Sequence, residues 1–283
     1  MRLDQAALGA HPLPRVANGD KDSKGRILIV AGSRDVPGAA LLTATAAMRA
    51  GAGKLQIATG ESAAPQLGMA MPEAMVIGLP EERDGGIAPR AVARVTELAR
   101  DADAVVAGPG LTRNPTCGNL AKALLDADAN LAFDAAMLHE LEPLSPQQHS
   151  EPPILLPHAG ELASLLDCDE TEIEREPVRC GIRAAQLFSS LVLVKGVTSH
   201  VVTPSEESWT YDGGAPGLGV SGSGDVLAGI VGGLLARGAK PLHALLWAVW
   251  LHGEAGARLG DKVGLIGFLA REIPGQIPQL LPR

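Results

Sequence analysis

Residues 220–238 read VSGSGDVLAGIVGGLLARG and set Asp225 behind Gly222, Ser223 and Gly224, at the mouth of a run whose apolar positions recur at helical spacing. A helix start leaves backbone N–H groups unpaired and carries partial positive charge, so it attracts anions, and glycines let an anion approach the backbone closely. A phosphate meets that description. The same residues also suit an ordinary capped helix, because Asp is common in first helical turns. The rest of the chain has to decide between the two.

Other chemistry-bearing residues fall at comparable places. Gly32-Ser33 follows ILIVA, Gly108-Pro109-Gly110 follows DAVVA, Asp134 follows NLAF, His158 and Glu161 follow PILLP, and Lys195-Gly196 follows LVLV. These apolar runs, with KLQIA (54–58) and AMVIGL (74–79), have the length and Val/Ile/Leu content of strands buried on both faces. Alanine-rich helical patterns such as 38–51 and 89–101 lie between them. The alternation predicts an α/β fold, with a mostly parallel central sheet between helical layers. In such sheets ligands sit beyond the carboxyl ends of the strands, where all these residues are placed. Residues 198–211 are expected to form a hairpin around Pro204–Glu207. From Asp225 onward the chain reads as helical, with boundaries near Pro241, Gly260 and Pro274.

Composition narrows the partners. A formal charge of -8 and a pI near 5.4 argue against nucleic acid and anionic membrane surfaces. The scarcity of aromatics argues against base-stacking platforms. The apolar stretches 226–236 and 241–251 are each too short to span a bilayer. Cys117, Cys168 and Cys180 form an odd set without paired metal-ligand spacing, as expected of reduced thiols in a cytoplasmic protein. With no linker between self-contained patterns, residues 1–283 are expected to form one domain.

Taken in order, AGSRDVPGAALLTATAAMRAGAGKL, MPEAMV, AGPGL, FDAAML, LPHAGE, VKGVTS and GLGVSGSGDVLAG closely resemble the ADP-dependent NAD(P)H-hydrate dehydratase family, whose members have a ribokinase-like three-layer α/β/α fold. The matching pieces run from about Lys21 to about Gly256. The resemblance implies dehydration of the S-epimer of hydrated NADH or NADPH, with ADP consumed and AMP and phosphate released. Phosphorylating the ring hydroxyl turns it into a leaving group, so phosphorylation followed by elimination is the implied route.

By the same resemblance Asp225 acts on the substrate hydroxyl as the catalytic base, while Gly222, Ser223 and Gly224 present donors to the transferring phosphoryl group. Lys195, Gly196, Val197, Thr198 and Ser199 match the family's nucleotide-binding KGxxT segment, with serine in the last position. His158 is matched to a contact with the hydrated nucleotide. Glu161 stands where related kinases organise Mg²⁺ and its waters, although a first-turn helix charge also explains it. Ala39, Ala40 and Gly110 match positions lining the dinucleotide site, with close helix packing an equal explanation for the alanines. Asp22, Leu156, Ala215 and Gly219 depart from the family pattern. The resemblance further implies a homotetramer, and a separate NAD(P)H-hydrate epimerase as functional partner, since no epimerase domain is expected here. The choice of ADP or ATP is left open. The competing reading is a ribokinase-like kinase of small thiazole or pyrimidine alcohols using ATP. Trp247 and Trp250, on one helix, are expected either in the core or at an interface.

Overall fold

The computed structural model describes residues 1–15, 24–127, 129–144 and 150–282; Lys21 and Asp22 lie outside them. The first half of the chain forms α1 (Gln5–Gly9), β1 (Arg26–Val30), α2 (Pro37–Arg49), β2 (Lys54–Gly60), α3 (Ala64–Ala70), β3 (Ala74–Leu79), α4 (Val92–Arg100), β4 (Ala104–Ala107), α5 (Thr116–Leu125) and β5 (Asn130–Phe133). The second half forms β6 (Ile154–Leu155), α6 (Ala159–Leu166), α7 (Glu170–Arg175), α8 (Pro177–Leu187), β7 (Leu191–Val194), β8 (Ser199–Val202), β9 (Ser208–Tyr211), α9 (Ser223–Ala236), α10 (Pro241–Lys262) and α11 (Ile277–Leu280). The strands make a nine-stranded sheet in the order β3-β2-β1-β4-β5-β6-β7-β8-β9. Pairings from β3 across to β7 are parallel, and β8 and β9 add an antiparallel edge. The hairpin expected over 198–211 is that edge.

β1 shows why the sheet is buried on both faces. Ile27 and Ile29 pack into one apolar cluster with α2, α9 and α10, while Leu28 and Val30 pack into a second with α4, α5 and α8. All four are fully buried. Two helical layers enclosing one sheet give the α/β/α sandwich that the strand-and-helix alternation predicts.

Small residues set the tight fit of α9. A methyl group added at Gly229 would lie 2.2 Å from the Thr43 carbonyl oxygen of α2, and one at Gly233 would lie 2.4 Å from that of Ala47. Such an insertion costs about 1–3 kcal/mol in a well-packed interior. The close contact fixes α9 against α2, and with it the place of Asp225 in the first turn of α9. Gly260, expected to end a helix, instead lies inside α10, which continues to Lys262. Its missing side chain admits the Ala215 methyl group, 3.0 Å from where a Cβ would stand, so packing explains this glycine better than chain termination does.

Trp247 and Trp250 stack edge to face, 5.8 Å apart, beneath the chain's own N-terminal segment. The Trp247 indole N–H donates to the His11 carbonyl at 2.8 Å, and Trp250 is buried. That segment is tied down by the Met1 amino group on the Ser208 carbonyl and the Leu3 N–H on the Thr210 carbonyl. Cys117 and Cys180 are buried, Cys168 is half-buried, and none is paired. No helix among the described residues is long and apolar enough to cross a membrane.

Candidate active site

α9 begins without a side-chain cap. Its N-cap is Gly222, in the left-handed region at φ 89°, which swings the chain sharply into the helix, and no side chain hydrogen-bonds the free N–H groups. Asp225 occupies the third helical position, and its carboxylate is not engaged in capping. The helix therefore keeps unpaired donors at its mouth, with a carboxylate next to them.

Lys195 reaches this mouth from the end of β7. Its Nζ would lie 3.8 Å from a Cβ built on Gly224. It donates to Asp134 Oδ1 at 2.6 Å and lies 3.7 Å from Glu161 Oε2. Asp134 is almost fully buried beyond the end of β5, and the same oxygen accepts the Ala135 N–H at 2.9 Å. That turn is tight: Ala135 has φ 47°, a conformation disfavoured for a residue with a side chain, and Gly108 brings β4 so close that an added methyl would sit 1.7 Å from the Asp134 carbonyl oxygen. The fold thus holds Asp134 where it can fix the ammonium group.

His158 and Glu161 serve α6 as a reciprocal cap. His158 Nδ1 accepts from the Gly160 and Glu161 N–H groups at 3.1 and 3.3 Å, and Glu161 Oε2 accepts from the His158 N–H at 2.8 Å. With Nδ1 an acceptor, the neutral His158 ring carries its proton on Nε2, which lies 3.5 Å from Glu161 Oε1 on a side chain that is 60% exposed. His158 and Lys195 stand side by side in a parallel bridge, and the Lys195 N–H donates to the Pro157 carbonyl at 2.9 Å.

These neighbours shape the titration of the cluster. Burial, then the negative charge of Asp134, pushes the Asp225 carboxyl up to about 6, with the Lys195 ammonium pulling the other way. Burial opposes the charge on Lys195, yet Asp134 and Glu161 outweigh it and hold the ammonium above its ordinary range. Asp225 thus titrates close to neutrality, where a general base works best.

The remaining sequence-predicted residues are placed as follows. Gly196, Val197 and Thr198 form an exposed connection between β7 and β8, with Val197 wholly exposed, and the Ser199 hydroxyl donates back to the Gly196 carbonyl at 3.4 Å. Gly110, at φ 64°, lies against Ala39, whose Cβ would be 2.4 Å from an added methyl. Ala39 and Ala40 are buried, Ala40 completely, so the methyl of Ala40 faces the core under α2. The sequence reading noted Asp134 at a strand end but gave it no role, and it missed His252 altogether. His252, from α10, places Nε2 3.0 Å from the Ser223 hydroxyl and 3.1 Å from the Ser223 carbonyl oxygen. Nothing in its local sequence marks it, because a histidine inside an apolar helix reads as core.

The comparisons with known proteins bear on nearly the whole chain. A family model described as NAD(P)H-hydrate dehydratase matches residues 27–279. The chain is 45% identical over 279 residues to an ADP-dependent (S)-NAD(P)H-hydrate dehydratase of Xanthomonas campestris, covering 98% of this chain and 95% of that one. It is 34% identical to a bifunctional NAD(P)H-hydrate repair enzyme of Moorella thermoacetica, of which it spans 54%. Among solved structures, the ADP/ATP-dependent NAD(P)H-hydrate dehydratase of Bacillus subtilis, co-crystallized with ATP/Mg²⁺, superposes with a TM-score of 0.85 at 28% identity, covering 99% of this chain and 96% of the other. The three-layer architecture is shared with solved ribokinase-like proteins. The family model takes in every strand end that carries the cluster around Lys195, and with the near full-length relative it establishes that this chain belongs to the NAD(P)H-hydrate dehydratase family.

Proposed function

We propose that the chain is an ADP-dependent dehydratase of (S)-NADH and (S)-NADPH hydrates, acting as one functional unit over residues 1–283. The observation that carries this reading is the uncapped start of α9, with Asp225 free of capping duty and Lys195 beside Gly224. Asp225 takes the proton from the ring hydroxyl as its oxygen bonds to the β-phosphorus of ADP and the bond to AMP breaks. Backbone N–H groups of Gly222 and Gly224 receive the growing charge on the phosphoryl oxygens, while Ser223, whose N–H is taken by the Val220 carbonyl at 3.1 Å, contributes its hydroxyl instead. The ring nitrogen's electron pair then expels phosphate, and loss of a proton from the adjacent ring carbon restores the dihydronicotinamide.

Lys195 neutralises phosphate charge, and Gly196, Val197, Thr198 and Ser199 line the nucleotide. His158 donates from Nε2 to the hydrated nucleotide, which lies along Ala39 and Gly110, where small residues bring the backbone close; Ala40, matched to the same site in the sequence, is fully buried and acts by letting α2 pack closely beneath it. Mg²⁺ fits this donor set. Among the described residues no group of three or more His, Cys, Asp and Glu forms a dedicated cage, and a hard, hydrated cation needs only one or two carboxylates with phosphate oxygens. Glu161 would hold it through water, and when bound it would shield the charge of the phosphates.

The test is recovery of reduced-nicotinamide absorbance from a hydrate mixture with Mg²⁺ and either ADP or ATP. Recovery that requires nucleotide and yields AMP and phosphate from ADP supports the reading. A stable phosphate ester formed from ATP and a thiazole or pyrimidine alcohol, with no recovery, overturns it in favour of a small-alcohol kinase. We further propose a cytoplasmic setting, a homotetramer, which light scattering checks, and a separate epimerase that supplies the S form.

A further inference from the structure

The contacts of His252 fix its tautomer. A carbonyl oxygen only accepts, so the 3.1 Å approach of Nε2 to the Ser223 carbonyl is a hydrogen bond only if Nε2 carries the proton. The opposite tautomer would set two lone pairs against each other. The same N–H then also points at the Ser223 oxygen, 3.0 Å away, which accepts it. An oxygen that accepts from His252 keeps its own hydrogen free to donate elsewhere. Ser223 is 6% exposed and is the first residue of the uncapped helix, so that donation is directed towards the mouth where the backbone N–H groups are unpaired. Burial, with the nearby positive charge of Lys195 acting in the same sense, lowers His252 to about 4, so the ring is neutral over the working range and the tautomer argument applies.

We propose that His252 is a positioning residue of the phosphoryl site: its Nε2–H holds the Ser223 carbonyl and hydroxyl oxygen together and turns the hydroxyl hydrogen onto the phosphate of the nucleotide. His252 itself touches no substrate. The hydroxyl adds a side-chain donor to the backbone donors of the glycine turn, and a hydrogen bond to a charged group carries more free energy than one between neutral partners. The assignment rests on the nucleotide site described above, and calorimetry of ADP with Mg²⁺, without hydrate, tests it separately from dehydratase activity.

Ser223→Ala removes the hydroxyl alone and is expected to weaken ADP about tenfold, the scale of a lost hydrogen bond to a charged partner. His252→Ala is expected to weaken ADP by a similar factor, and the double variant to be no weaker than Ser223→Ala. His252→Gln, whose amide N–H can reach the same place, is expected to recover most of the loss, which a merely structural role would not require. Wild-type ADP affinity in Ser223→Ala overturns the inference. So does an additive double variant, or a folded His252→Ala with unchanged affinity. If His252→Ala fails to fold, the comparison of Ser223→Ala with His252→Gln decides: the first must lose affinity and the second keep it. A chain that binds ADP in this pattern yet converts no hydrate would overturn the proposed reaction and leave the role of His252 standing.

Discussion

Replacing Asp225 by Asn should destroy activity while making the protein more stable. The carboxyl moves from its ordinary 3.8 to about 6 because it is buried and faces Asp134. Each unit corresponds to about 1.4 kcal/mol, so holding Asp225 ionised at neutral pH costs the fold on the order of 3 kcal/mol. Its folded-state value is raised, so the penalty is absent below about pH 3.8, grows as the pH rises to about 6, and is constant above. Asn keeps the shape without the charge, and its thermal midpoint at pH 7 should rise by a few degrees, with little gain near pH 4. Turnover should fall by at least about 100-fold, the usual scale of general-base catalysis. In the wild type kcat/KM should drop to about a tenth of its plateau at pH 5, following the base as it protonates near 6. The assays are absorbance recovery across pH 5–8 and thermal melts of both proteins at two pH values. A helix-capping Asp225 predicts neither change, because Asn caps as well as Asp and removes no function. An active Asp225→Asn, or one less stable than wild type at pH 7, would refute the reasoning.

The neighbouring charges give opposed tests. Lys195→Ala should raise the ADP requirement far more than it alters hydrate affinity, and should move the acid limb of kcat/KM upward, since the ammonium lowers the Asp225 carboxyl; an unchanged limb and ADP dependence remove Lys195 from the site. Gly108→Ala should abolish folding or activity, because its methyl would meet the Asp134 carbonyl at 1.7 Å in a backbone conformation suited to glycine, whereas Gly238→Ala, also at positive φ but in open space, should cost only about 1 kcal/mol in a melt. The purified protein should convert one hydrate epimer quickly and leave the other to spontaneous exchange, a result read from biphasic absorbance recovery and contradicted by rapid conversion of both.

Much of this molecule is readable in the sequence because the relevant physics is local. Buried parallel strands are continuous apolar runs, so ILIVA, DAVVA and LVLV stand out, and ligand residues fall in the turns that follow them; AMVIGL reads the same way but is the edge strand β3, largely half-exposed, because no further strand covers that side. What escapes is long-range. Lys195 and Asp134 are 61 positions apart, and nothing in either segment says that the ammonium is held by that carboxylate. His252 is 29 positions from Ser223, and only the packing of α10 on α9 joins them. His158 and Glu161 show the opposite problem: residues matched to ligand contacts also form a complete helix cap, so their types are over-determined by local structure. The glycines of α9 hold a further long-range fact, since Gly229 and Gly233 mark the crossing of α2, which nothing in the run itself announces.

The charge arrangement leads to a last prediction, about the metal. Asp134 and Glu161 lie 2.6 and 3.7 Å from the Lys195 ammonium, and Asp225 is close enough for both Asp134 and Lys195 to shift its titration. Three carboxyl groups share one ammonium here, so the mouth of α9 is acidic on one side although its backbone donors favour anions. A bare diphosphate would meet repulsion there, and a divalent cation carried on its phosphates would remove it. ADP should therefore bind at least about tenfold more tightly with Mg²⁺ than in the presence of a chelator, more than a site built from the helix start and Lys195 alone would show. Glu161→Gln removes one of the opposing charges and should reduce the ratio between the two affinities, weakening ADP with Mg²⁺ while leaving or improving ADP without it. Calorimetry in both buffers measures the ratio. An ADP affinity indifferent to Mg²⁺ in the wild type, or a ratio unchanged in Glu161→Gln, would show that the acidic side of the site does not face the phosphates.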